Sequence, residues 1–261
     1  MVRRIDFLGA PGIGKSTLYK TLLQDKLPAH IIAEPQAYRL ALGSAINQSM
    51  PWRKRWTHRV LQAIPKVSNY YISTAEDQCS RQVHYTYMYK NEVYYRAASD
   101  CMAVTGRSEA RRAGGYYYFM ANNMRWAVIH EYYQSGKIVL CDESLSHRIF
   151  LLLPWSASWL TAAEEYYRHM PAPDGVVYVD GDADLVRARI DERNASTRKL
   201  IPGHMEADET ELMSRIEGTL ALARTGAAVL EDRGVSVLKL DGRQPASSNV
   251  ARIQYYIKQI T

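Results

Sequence analysis

Cysteine is scarce in this chain: Cys79, Cys101 and Cys141 are its three, and they lie far apart. Such spacing excludes a disulfide-stapled secreted scaffold and the paired-thiol pattern of a structural zinc site. It suits a reducing compartment. Long apolar runs are missing as well, the longest being Ile149 to Leu153 before Pro154, far short of the roughly 20 residues that span a bilayer. Met1-Val2-Arg3-Arg4 leads directly into Ile5-Asp6-Phe7-Leu8 with no cleavable apolar segment. A soluble, cytoplasmic protein without a membrane partner is expected.

Excess charge is also absent from most of the chain. The net charge is +6, yet Ser44 to Tyr118 alone holds eleven Lys or Arg against five Asp or Glu, so the remainder is balanced. The same segment carries ten of the nineteen tyrosines, Tyr70, Tyr71, Tyr85, Tyr87, Tyr89, Tyr94, Tyr95 and Tyr116 to Tyr118. Basic groups interleaved with aromatics suit an anionic partner with flat or sugar-like parts, such as a nucleotide or a nucleic acid. A solvated basic helical face is the plainer alternative.

With 47% apolar and 23% charged residues over 261 positions, the chain is neither disordered nor coiled-coil and can bury a full core. Short apolar runs recur at Ile5–Leu8, His30–Ala33, Lys137–Cys141, Val176–Val179 and Val235–Leu240, each of strand length. Continuous apolar runs of this kind are what strands covered on both faces look like. Between them the spacing predicts helices at about Lys15–Gln24, Phe119–Tyr133, Ser158–His169, Ala183–Asn194 and Glu206–Arg233, with a last one after Ser247. The alternation predicts a single α/β domain, 1–261, with a doubly wound parallel sheet. Residues 44–118 read as a mostly helical insertion standing over the sheet edge where ligands bind.

Gly9-Ala10-Pro11-Gly12-Ile13-Gly14-Lys15-Ser16-Thr17 fits the phosphate-binding pattern G-x-x-x-x-G-K-[ST] between a predicted strand and a predicted helix. The glycines let the loop curl so that the amides of Gly9, Gly12, Ile13, Gly14 and their neighbours face a polyphosphate, and the helix N-terminus adds positive potential. Lys15 is expected to follow the transferred phosphate and to face solvent in the empty loop. Ser16, followed by Thr17, is the candidate Mg²⁺ ligand. Glu34, before Pro35, is expected extended at the carboxyl end of its strand, placed to be a base or else a surface carboxylate. Ile138-Val139-Leu140-Cys141-Asp142-Glu143-Ser144 is a strand ending in acids, with Asp142 the candidate for Mg²⁺ or its water shell. Its alternative is an N-cap before Ser146, with Glu143 capping the following turn. Arg189 and Arg193 share a helical face, on a stretch that runs into a polar segment suited to a lid over the phosphates, 189–205. A surface helix balanced by Asp191 and Glu192 is the alternative.

The order of phosphate loop, Glu34-Pro35, Asp142-Glu143-Ser144 with Arg148-Ile149-Phe150, and Arg189-Ile190-x-x-Arg193 resembles the deoxynucleoside kinase and thymidylate kinase group of P-loop kinases. The resemblance spans most of the chain, the phosphate loop being its one specific motif. It implies a five-stranded parallel sheet flanked by helices, with Glu34 as general base, Asp142 serving the metal and Arg189 and Arg193 on the lid. The helix around Arg125 is loosely similar to the acceptor-binding helix of that group. The chain departs from the group at Glu143, where arginine is usual, and in its longer, more basic segment between Glu34 and Asp142.

The resulting expectation is a phosphotransferase that moves the γ-phosphoryl group of ATP, with Mg²⁺, to a nucleoside or nucleotide-like acceptor. Lys15, Glu34, Asp142, Arg189 and Arg193 form the catalytic set. A sugar, an antibiotic or another hydroxylated metabolite is the alternative acceptor, because kinases of one fold differ mainly in such inserted regions. A nucleic-acid-binding P-loop NTPase, with Asp142-Glu143 as its acidic pair, is the alternative of a different class. Donor-base contacts are expected around Asp241-Gly242-Arg243-Gln244. A homodimer is left open.

Overall fold

The structure is a computed structural model that describes residues 2–24, 28–49, 80–103, 109–197 and 208–260. Its centre is a 5-stranded sheet of β1 (Arg4–Leu8), β2 (Ile31–Ala33), β3 (Ile138–Cys141), β4 (Gly175–Asp180) and β5 (Ser236–Asp241). The strands lie in the order β2-β3-β1-β4-β5, and every pairing is parallel. Parallel neighbours need helical crossovers. These begin with α1 (Lys15–Gln24), α2 (Glu34–Ser49), α3 over residues 80–90, α4 (Glu92–Ala103) and α5 (Glu109–Tyr132). A short α6 (Ile149–Leu152) and α7 (Leu160–His169) follow β3, α8 (Ala183–Thr197) and α9 (Glu209–Asp232) link β4 to β5, and α10 (Ala246–Ile260) comes last. Among the described residues no helix is long and apolar enough to cross a membrane.

Alternation along each strand divides the core in two. Leu8, Ile32, Val139 and Tyr178 join a cluster with Ala37, Tyr94, Phe119 and Tyr166, from α2, α4, α5 and α7. Phe7, Ile31, Leu140 and Val177 point the other way, into a cluster with Leu18, Val186 and Ile253 from α1, α8 and α10. Both faces are covered, so polar residues have no place along the central strands and the strands read as apolar runs.

Three boundaries differ from expectation. β2 ends at Ala33 and Glu34 opens α2, with Pro35 in the first turn, where the missing amide has no intrahelical acceptor to lose. α2 itself is not evident from the sequence because that proline hides its start. The helix expected from Phe119 already begins at Glu109, and Ser44 lies inside α2, so both ends of the 44–118 segment fall within helices. Charge composition changes at those points, but backbone hydrogen bonding does not sense it. Arg53, Arg55 and Arg59, Tyr70 and Tyr71, Cys79 and lid residues 198–205 lie outside the described residues.

β1 holds one exception to the apolar rule. Arg4 and Asp6 point to the same face, and their side chains, 2% and 0% exposed, pair at 3.0 Å. The Arg4 guanidinium stacks 4.5 Å from the centre of the Trp126 ring and donates to the Pro171 carbonyl at 2.7 Å. Asp6 also accepts from the Ser146 hydroxyl. Removing one partner of such a pair strands a buried charge, so Asp6→Ala should destabilise the fold by about 3–5 kcal/mol. Urea unfolding checks this; a midpoint close to wild type would show that the pair is not the fixed element proposed.

Candidate functional site

The loop between β1 and α1 takes the shape its glycines allow. Gly12 and Gly14 have φ of +92° and +97°, a region that L side chains avoid. A side chain at Gly14 would also run into the Arg189 guanidinium, and one at Gly9 would sit 2.6 Å from the Val179 carbonyl oxygen. Gly9 lets the chain leave β1 against β4, and Gly14 lets α8 dock on the loop. The result is a cavity of about 500 Å³ lined by Gly12, Gly14, Lys15, Ser16, Thr17 and Leu18 on one wall. Val179, Arg189, Glu192, Arg193, Gly242, Gln244, Ala246 and Asn249 complete it.

Lys15, expected to face solvent, does not. It is 5% exposed, and its Nζ donates to the carbonyls of Gly9 at 2.7 Å and Ala10 at 2.9 Å. An ammonium drawn out of water needs oxygen partners, and the curl of the loop turns these two carbonyls toward it. Burial pushes its pKa down to about 8, against the attraction of Asp142 and Glu143.

Arg189 is likewise already seated. Its guanidinium donates to the carbonyls of Ile13 and, at 2.6 Å, Gly242, tying α8 to both the loop and the turn after β5. Arg193, one helical turn on, lines the same cavity. Asp191, which the alternative surface-helix reading sets against these arginines, pairs with Arg187 at 2.9 Å.

The ends of β2 and β3 meet beside this loop. Tyr19 of α1 reaches the Leu140 carbonyl at 3.4 Å, and its phenol is pushed up by burial and by the charges of Cys141, Glu34 and Asp142. Burial raises the pKa of Asp142, and the nearby Ser16 hydroxyl and Lys15 oppose that rise. Its Oδ1 is buried without a hydrogen-bond partner. Neither Asp142 nor Glu143 caps the following 3₁₀ turn, whose N-cap Ser144 makes no side-chain cap. Glu143 pairs instead with Arg148 at 3.5 Å.

Glu34, at the start of α2, also acts on the Tyr19 phenol. Burial raises the Glu34 pKa most, opposed by Arg125 and Arg148. Arg148, 7% exposed, is held by the Asn122 side-chain oxygen at 2.8 Å and by the Glu143 carbonyl. Arg125 stands 5.5 Å from the Tyr38 ring centre. Tyr38 and Asn122 are not singled out by sequence reasoning, although helical spacing offers a signal: Glu34 and Tyr38 share a face of α2, and Asn122 and Arg125 share a face of α5.

Two oxygen donors, the Ser16 hydroxyl and the unsatisfied Asp142 carboxylate, fit a hard cation that keeps water and phosphate oxygens as its other ligands. Among the described residues no group of three or more His, Cys, Asp or Glu is gathered for a metal, so a transition-metal cage is not what this pair suggests. No family model matches the chain, and no curated protein matches it.

Proposed function

We propose that the chain is a P-loop kinase with a doubly wound sheet, transferring the γ-phosphoryl group of ATP to a hydroxyl of a nucleoside or nucleotide-like acceptor. The observation that carries this reading is the curled glycine loop, with Gly12 and Gly14 at positive φ, which puts Lys15, Ser16, Arg189 and Arg193 around one cavity of about 500 Å³. Glu34, whose raised pKa is opposed by the charges of Arg125 and Arg148, marks the acceptor side. The strand order and the helices on both sheet faces agree with it.

In the proposed reaction Lys15 leaves the Gly9 and Ala10 carbonyls for the β- and γ-phosphates, which carry more negative charge than two peptide oxygens. Arg189 and Arg193 flank the migrating group and offset the charge that develops on its oxygens. Ser16 and Asp142 would hold Mg²⁺, which neutralises phosphate charge when bound. Arg125 and Arg148 orient the acceptor, and Glu34 accepts its hydroxyl proton as the oxygen bonds to the γ-phosphorus and the bond to the β-phosphate bridging oxygen breaks. The products are the phosphorylated acceptor, ADP and a proton.

Glu143, which an NTPase would use to polarise water, pairs with Arg148 at 3.5 Å and exposes more than half of its side chain to solvent. The test follows ATP consumption against a panel of nucleosides, nucleotides, sugars and aminoglycosides, and against DNA and RNA. ATP should be stable alone and fall in step with the appearance of one phosphorylated acceptor. Steady hydrolysis without an acceptor, stimulated by DNA or RNA, would replace the kinase with an NTPase.

A further inference from the structure

The cavity over the glycine loop has a second end, formed after β5 by Gly242 and Gln244 and by Ala246 and Asn249 in the first turn of α10. Asn249 is 1% exposed. Its Nδ2 donates to the Asp241 carbonyl at 2.9 Å, and its backbone amide donates to the Pro245 carbonyl at 3.1 Å. Turning the amide over would set two oxygens against each other, so the strand end determines which way it faces. Oδ1 is left buried with no hydrogen-bond partner. A buried acceptor of this kind is costly unless a donor arrives to meet it.

Resting on the polyphosphate reading of this cavity, we propose that Asn249 is the residue that selects the donor base, its Oδ1 accepting a hydrogen bond from an exocyclic amino group. At the position where adenine carries an amino donor, guanine carries a carbonyl acceptor. An amide whose nitrogen is already engaged offers an oxygen alone, so it favours adenine and opposes guanine. Gln244, exposed at the rim and with one long side-chain contact of 3.5 Å to Asp241, can turn its amide either way. It accommodates both purines and contributes no selection. The discriminating group is therefore the fixed amide.

Equilibrium binding of ATP, GTP, purine riboside triphosphate and inorganic triphosphate tests the assignment. Wild-type protein should bind ATP about tenfold or more tighter than GTP or purine riboside triphosphate, the last of which lacks only the amino group. In Asn249→Ala the preference for ATP over purine riboside triphosphate should collapse toward one, with inorganic triphosphate affinity held. Equal binding of the four nucleotides and analogues by wild type overturns the assignment without any variant. Equal weakening of ATP and purine riboside triphosphate in Asn249→Ala also overturns it, reducing Asn249 to a strut between β5 and α10. Inorganic triphosphate binding with no base preference sinks the base assignment alone, whereas no triphosphate binding sinks the polyphosphate cavity with it.

Discussion

Lys15→Ala should lower phosphoryl-transfer turnover on the order of 10²-fold or more, because a positioned charge on the β- and γ-phosphates acts where water cannot replace it. In the structure that charge rests on the Gly9 and Ala10 carbonyls, and burial pushes the amine down to a pKa of about 8. The amine therefore loses its proton as pH rises through about 8 in the empty protein, while a bound polyphosphate favours the protonated form and raises that value. Nucleotide binding just above this pH should take up a proton, seen as a binding heat that changes with the ionisation enthalpy of the buffer. Lys15→Ala should abolish the buffer dependence. Near-normal turnover in a folded variant would remove Lys15 from the phosphate site, and binding without proton uptake in the wild type would show that its amine is already protonated at that pH.

The exchange of Glu34 and Asp142 by their amides should give two different failures. Burial raises both carboxyls, but the rise of Glu34 is opposed by Arg125 and Arg148 and that of Asp142 by the Ser16 hydroxyl and Lys15. A base must be ionised to accept a proton, so activity should fall as pH drops through the raised Glu34 value, and that acidic limb should lie above the ordinary carboxylate range. Glu34→Gln should lower kcat by about 10²- to 10⁴-fold, remove the limb and leave Mg²⁺–ATP affinity nearly unchanged. Asp142→Asn should first raise the Mg²⁺ concentration needed for activity, with partial rescue at high Mg²⁺ or by Mn²⁺. The opposite assignment follows if the limb disappears in Asp142→Asn and the Mg²⁺ requirement shifts in Glu34→Gln.

Glycine spacing and strand-length apolar runs made the parallel sheet and the loop legible from the sequence. Gly12 and Gly14 sit at positive φ, a local property that residue type alone dictates. The five strands lie within a residue or so of the apolar runs, because both faces of each interior strand are buried by covering helices. Arg189 and Arg193 were legible by their spacing, since a helix puts residues four apart on one face whatever it packs against. The sequence also marked Asp142 and Glu34 as acids at the ends of apolar runs.

Side-chain partners were decided by the tertiary structure alone. The motif places Lys15 in the loop, but only the folded loop shows that its Nζ turns onto the Gly9 and Ala10 carbonyls and leaves the side chain 5% exposed. Arg148 meets Asn122, and the charges of Arg125 and Arg148 act on Glu34, only because α2, α5 and the turn after β3 converge at one end of the sheet. The face of Asn249 is set by a carbonyl at the end of a neighbouring strand. Periodicity and residue type act over a few neighbouring positions. Desolvation and charge pairing act across space, between residues that the order of the strands brings together.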